Sequence, residues 1–381
     1  MYRLIVYAVP VFVLLMAAEY AVGRRRQRNT YRLDDSINSL GLGLLSQVVA
    51  ACTQLFQVGL YALVYPFIAL WPQPAFWSSA IGWIAAVLLF DFCDYWLHRT
   101  GHESAVFWAA HSVHHQSRQF NFSTALRQES MVAFLGWPFY LPMALLGVPP
   151  EQFGIAGLIV LVYQFWIHTE HIGKLGWFDR VFSSPSNHRV HHAVNDEYLD
   201  RNYGGMLVVW DRLFGTFSEE AAPCVYGTRK PLEGASPVEA VLGPYRPLLK
   251  DAWHTRRWTD KLRVFFKAPG WRPADVARRF PEEALPMEAL QSPARAPEIT
   301  PNQRLSALLQ FVLWVGVLMG FLWQADDLAW THDAAMLVLA TAGLWVVGSL
   351  LDARSSSALR AWWTQAPLLV GAMALLAAGG A

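Results

Sequence analysis

The sequence predicts an all-α, polytopic integral membrane protein: about eight transmembrane helices and a cytoplasmic, histidine-rich di-metal cap. Three observations predict it. The 381 residues are 54% hydrophobic and 14% aromatic, too apolar for an ordinary soluble domain. The apolar residues fall in runs of the ~20 residues a helix needs to cross a bilayer. Ten of the twelve histidines lie between 98 and 192, gathered near the ends of such runs.

Taken in order, the runs are 4–22, 38–70, 76–97, 131–148, 151–168, 306–323, 334–351 and 361–380. The first lacks a strongly charged leading region and is followed by positive charge, so it reads as a retained anchor. The run 38–70 is too long for one helix and is expected to tilt, break or re-enter near Gly59. "GRRRQRNTYR" puts five arginines after the first run, which assigns that loop to the cytoplasm. Counting from there returns His98 to the cytoplasmic side, and the hairpin turning at "GVPPEQ" ends on that side too. Acidic "QADDLAWTHD" (324–333) then falls outside, and "DARSSSALR" (352–360), with two arginines, falls inside. The membrane would be the inner membrane of a bacterium or the endoplasmic reticulum of a eukaryote.

Four regions follow: 1–37 as anchor and basic loop, 38–217 interleaving spans with histidine-rich segments, 218–304 polar, and 305–381 with three spans. Within the polar region, residues 246–279 hold ten Lys/Arg against three Asp, interleaved with Trp253, Trp258, Phe265, Phe266 and Trp271. That mixture suits the headgroup layer of an anionic leaflet. Nucleic acid is not expected as a partner of a chain tethered in this way. Of three cysteines, Cys52 and Cys93 lie inside spans, so neither a disulfide framework nor a thiolate metal motif is expected.

The histidine segments read "HRTGHE" (98–103), "HSVHH" (111–115), "HTEH" (168–171) and "HRVHH" (188–192). Offsets of three and four put the imidazoles of each segment on one helical face. His254 and His332 stand alone and read as capping or interface residues. So many imidazoles without cysteine argue against structural zinc, which closes at four ligands. Their number implies two ions, and imidazole suits iron, zinc, copper and nickel alike. Two irons beside a hydrocarbon layer make chemical sense for activating O2 against a C–H bond. Asp91 and Asp94 precede His98 on one face of an apolar run, where a carboxylate is costly. They are candidates to orient a ligand imidazole through its other N–H, or else to pair with Arg99 or Arg127. Glu103 is a candidate ligand or proton acceptor.

The pattern HxxxH, HxxHH, HxxHH resembles the fatty acid hydroxylase/sterol desaturase superfamily of membrane di-iron enzymes. "FNFSTALRQES" (120–130), "WIHTE" (166–170), "SPSNHRVHH" (184–192) and "NYGGMLVVWDRLFGTF" (202–217) look like its alkylglycerol monooxygenase branch, as do the three C-terminal spans. The resemblance makes 38–217 the catalytic domain. It implies a non-haem di-iron centre on His98, His102, His111, His114, His115, His188, His191 and His192, with Glu103 nearby. It further implies O2-dependent hydroxylation of a lipid carbon next to an ether oxygen, with tetrahydrobiopterin or another electron donor. His168 is then a candidate ninth ligand and His171 is accessory.

Phe120, Phe122, Trp166 and Trp177 read as interfacial belt residues, with a substrate-tunnel wall as the other reading. "WDRLFGTF" is expected to pack beneath the last histidine segment, with Asp211 pairing Arg212. A sibling function is a sterol, fatty acyl or aminolipid hydroxylase or desaturase. A remoter one is a metal transporter, disfavoured because transporters bury polar residues near mid-bilayer.

Overall fold

A computed structural model describes residues 2–379 except 54–55, 129, 233, 235, 283–284, 292–297 and 353–356. Arg354 of the loop 352–360, one of the two arginines used to orient it, lies outside the described residues. Among the described residues there are helices and two isolated β-bridges, Phe182 with Leu207 and Ala193 with Tyr226. The principal helices are α1 (Tyr2–Arg25), α2 (Leu33–Cys52), α3 (Phe56–Ile68), α4 (Ala80–Glu103) and α5 (Ala105–His115). They continue as α6 (Pro150–Trp166), α7 (Pro185–His192), α8 (Pro301–Gln324), α9 (Trp330–Leu351) and α10 (Ala358–Gly379). Local signals start several of them. Ser79 caps α4 at the Gly82 N–H, and Ser184 with Pro185 opens α7. Thr300 and Gln303 form a capping box on α8.

Six stretches are long and apolar enough to span: Ile5–Arg25, Leu33–Ile68, Ala80–Glu103, Pro301–Gln324, Trp330–Leu351 and Ala358–Gly379. The expected spans 131–148 and 151–168 form a shorter hairpin instead. Its first leg is Val132–Gly136, a tight 3-10 turn Trp137–Tyr140, and Leu141–Leu145. Pro138 and Pro142 lack the N–H that a continuous ladder needs. The second leg, α6, has 17 residues. At 1.5 Å each that is roughly 26 Å, short of the ~30 Å hydrocarbon core. The long run 38–70 does break, but at Thr53 and not at Gly59, which lies inside α3. The Thr53 hydroxyl donates to the Val49 carbonyl at 2.9 Å and helps close the end of α2.

Two apolar cores flank the histidines. In one, α8 and α9 pack on α2, and α10 packs on α8 and α9, around Trp314, Leu318, Phe321, Leu344 and Val48. A Cβ on Gly343 would sit 2.1 Å from the Trp314 ring, so α8 and α9 approach closely only because that residue is glycine. In the other, α3, α4, α6 and the hairpin enclose Phe90, Tyr140 and Phe153, and Tyr61 stacks on Phe153 at 4.1 Å. The Tyr61 hydroxyl donates to the Val148 carbonyl at 2.7 Å, which ties the hairpin turn to α3. The hairpin leaves the histidine layer after Arg127 and returns to it at His168. Helix α1 is joined to that layer by buried Glu19. Its carboxylate accepts from Tyr31, Thr169 and the Phe122 N–H, so a charge in an apolar helix is satisfied.

Candidate metal centre

Nine histidines converge into two groups whose ligand-capable atoms lie within 4.8 Å of one another. One group is His98, His102, His111, His115 and His191; the other is His114, His168, His188 and His192. The spacing explains the partition. His98 and His102 on α4, His111 and His115 on α5, and His188 and His192 on α7 are i, i+4 pairs, and each pair stays within one group. The i+3 histidine of each HxxHH segment crosses over: His114 leaves α5 for the second group, and His191 leaves α7 for the first. Helices α5 and α7 thus each serve both groups and hold them side by side.

"HTEH" departs from the expected single helical face, because α6 ends at Trp166. His168 enters the second group, while His171 stays outside both. The His171 carbonyl accepts from Arg26.

Backbone carbonyls orient the rings. His98 donates Nδ1–H to Tyr203 at 2.7 Å, His114 to Arg127 at 2.9 Å, His168 to Gln164 at 2.7 Å and His191 to Arg201 at 3.1 Å. A carbonyl can only accept, so each of these imidazoles carries its proton on Nδ1 and presents Nε2 as a bare lone pair. The consequence is sharpest between His114 and His168. Both Nε2 atoms are bare, and they face each other at 3.2 Å. Burial holds His114 down at about 4, so a shared proton does not relieve the repulsion near neutral pH. The rings of His111, His115, His188, His191 and His192 are pushed well below the ordinary histidine value, first by burial and then by neighbouring histidines.

A cation resolves this arrangement. Two imidazole nitrogens bound at ~2.1 Å and at right angles lie ~3.0 Å apart. The Nε2 pairs His98–His111, His111–His115, His168–His188 and His188–His192 are 3.0, 3.1, 3.0 and 3.2 Å apart. The buried Nε2 atoms of His102 and His191 have no hydrogen-bond partner. The donor set fits two ions bound through nitrogen.

The acidic candidates lie elsewhere. Asp91 accepts from the N–H groups of Met206 (2.7 Å) and Leu207 (3.1 Å) and from Trp210 Nε1 (2.8 Å). Asp94 accepts from Tyr140 at 2.9 Å. Neither pairs with Arg99 or Arg127, and neither orients an imidazole, because the Tyr203 carbonyl already occupies the His98 Nδ1–H. Glu103 points outward to Arg99 at 2.9 Å and joins neither group. Asp211 does not pair with Arg212, whose guanidinium lies 3.7 Å over the Phe217 ring. It accepts from the Tyr203 and Gly204 N–H groups at 2.7 and 2.8 Å and from Thr216 at 2.7 Å.

Three supporting residues take parts that their sequence context does not name. Arg127 is buried; its guanidinium donates to the Val113 carbonyl (2.7 Å), Asn38 (2.8 Å) and Gln116 (3.0 Å). Buried Arg189 joins Glu220 to the Thr169 and Ile172 carbonyls. Phe120 stacks on His168 at 5.5 Å and on Tyr226 at 5.0 Å, and so closes the second group on one side. Phe122 stacks instead on Phe165, Trp166 meets Phe178 edge-on, and Trp177 is exposed.

Fold and site together define a multi-pass integral membrane protein built around two adjoining histidine clusters, each able to hold a metal ion. The fatty acid hydroxylase family model matches residues 83–216. An alkylglycerol monooxygenase of Danio rerio is 34% identical over 360 residues, 92% of this chain and 78% of that protein. The Homo sapiens alkylglycerol monooxygenase is 36% identical over 277 residues, and the match covers 72% of this chain but only 62% of the human protein. An ornithine lipid hydroxylase of Rhizobium tropici is 27% identical over 189 residues, 46% of this chain and 54% of that protein. No solved structure matches. The chain belongs to the alkylglycerol monooxygenase family of the fatty acid hydroxylase superfamily. Membership and the histidine clusters together point to iron as the metal.

Proposed function

We propose that this chain is a di-iron lipid monooxygenase that hydroxylates, with O2, the carbon beside the ether oxygen of an alkylglycerol. The hydroxylated ether would then collapse to an aldehyde and a glycerol. The observation that carries the reading is the bare-lone-pair contact between His114 and His168 inside a twin histidine centre.

In this reading His98, His102, His111, His115 and His191 hold one iron, and His114, His168, His188 and His192 hold the other. When bound, the pair supplies reductive activation of O2 and transfer of one oxygen atom to carbon. The chain's own part is positional. The carbonyls of Tyr203, Gln164, Arg127 and Arg201 hold four of the imidazoles in one tautomer, Phe120 keeps water from one side, and burial disfavours protonation of His111, His114, His115, His168, His188, His191 and His192. The histidine layer is taken as the cytoplasmic face, where a headgroup rests in water while its alkyl linkage reaches the metals. Residues 38–217 are taken as the catalytic domain. The electron donor is taken to be tetrahydrobiopterin or another external reductant.

The aminolipid alternative keeps the same centre and has one observation in its favour, the similarity to an ornithine lipid hydroxylase. The deciding experiment uses detergent-purified chain grown with ⁵⁷Fe. Mössbauer spectroscopy should give two coupled non-haem irons per chain, and a 1-O-alkylglycerol should yield an aldehyde with added tetrahydrobiopterin. A single ion, or zinc alone, defeats the oxygenase reading. Turnover of an ornithine lipid but not the ether lipid moves the substrate to the aminolipid class.

A further inference from the structure

On the side of the molecule formed by α9, an open groove of about 590 Å³ runs along the helix. Its apolar wall includes Val338, Thr341 and Trp345, and Val338 and Trp345 are exposed. The opposite rim is polar and includes Ser236, Glu239 and Arg246, at and beyond the short helix Pro237–Leu242. Arg246 pairs with Glu239 at 2.7 Å and its side chain is still 64% exposed. One bond to Glu239 steadies a guanidinium that has five N–H donors.

The depth of the groove is set by its neighbours. Leu344, next to Trp345, faces Gly41 of α2, and Ala240 of the short helix packs with Leu42 and Val113. Helix α9 is long and apolar enough to span, so its exposed face looks onto lipid. A cationic fork beside an apolar trough that includes an exposed tryptophan is the profile of a headgroup boundary. The segment that begins at Arg246 carries ten Lys/Arg against three Asp up to residue 279, which adds to the attraction for phosphate.

We infer that this groove holds one glycerophospholipid, with its phosphate on Arg246 and an acyl chain along Val338 and Trp345. The inference is independent of the reaction proposed above. The short helix that forms the rim packs directly on α9, and its Ala240 carbonyl accepts from Gln116 at 2.9 Å, so the groove adjoins the histidine clusters. Gln116 in turn accepts from Arg127, whose carbonyl holds His114.

The test is native mass spectrometry of the full chain in detergent, titrated separately with phosphatidylglycerol, diacylglycerol of the same chains, and inorganic phosphate. One phosphatidylglycerol should remain bound where bulk lipid is stripped. Arg246→Glu should weaken that retention about tenfold or more, and Val338→Trp, which fills the trough and leaves the rim intact, should do the same. Equal retention of diacylglycerol, binding of phosphate alone, or unchanged retention in Val338→Trp would each overturn the inference.

Discussion

The carbonyl of Arg127 accepts the Nδ1–H of His114 at 2.9 Å, while the guanidinium of the same residue donates to the Val113 carbonyl at 2.7 Å. One buried arginine therefore holds both the ring of His114 and the helix that carries it. Burial lowers the guanidinium to about 10, so it stays charged at neutral pH. Arg127→Met leaves the Val113 carbonyl, Asn38 and Gln116 short of donors. The expected loss is about 3 kcal/mol or more of stability. Metal affinity at the second group should fall roughly 10–100-fold. Thermal melts and metal-to-protein ratios after dialysis against a chelator check both. Arg127→Lys should be intermediate, because lysine keeps the charge but not the planar fork.

Replacing one histidine of either group removes a ligand from a site whose neighbours remain oriented. His114→Ala and His191→Ala should each abolish turnover while the protein still inserts and elutes as a single species. The two variants delete the two crossing residues, so each should lose metal chiefly from its own group. Full activity in both variants would sink the di-iron proposal.

Asp211 acts at one remove from the metals, through the loop whose Tyr203 carbonyl holds His98. Asp211→Asn turns one acceptor oxygen into a donor that faces either the Tyr203 or the Gly204 N–H group. A penalty of about 2 kcal/mol is expected, together with preferential metal loss from the first group. Equal loss from both groups would show that Asp211 supports the fold generally and does not position His98.

The ion pair of Arg189 with Glu220 gives a pH signature. Burial by itself would raise the Glu220 carboxyl, but hydrogen bonds from Arg189 and Ser186 more than offset it and hold the group below the ordinary glutamate range. A depressed carboxylate contributes stability that is fully present above its unfolded value near 4.5 and is lost as pH falls through the lower folded value. Melting midpoints of the wild type should therefore drop below about pH 4.5. Those of Glu220→Gln should start lower, through a stability loss on the order of 3 kcal/mol, and vary less over that window. Parallel curves for the two proteins would remove Glu220 as the acid-sensitive group.

The sequence by itself determined the class of molecule and singled out the histidines that the fold gathers. Hydropathy runs report membrane helices because a backbone in lipid must satisfy its own hydrogen bonds. Offsets of three and four report a shared helical face because the helix turns every ~3.6 residues. Only the tertiary structure decided how the histidines divide. The i+3 imidazole of each HxxHH segment joins the other group, a crossing that depends on how α4, α5 and α7 meet. The long-range supports escaped for a related reason. A backbone carbonyl is present at every residue and bears no signature, so Tyr203, Gln164, Arg127 and Arg201 could not be read as imidazole acceptors in advance. The carboxylates misled because charge in an apolar run signals a need for partners without naming them. Asp91 and Asp94 found Met206, Leu207, Trp210 and Tyr140 across the fold. Hydropathy likewise could not show the break in 131–148, since it sees the apolar content of that run but not the ladder that Pro138 and Pro142 interrupt.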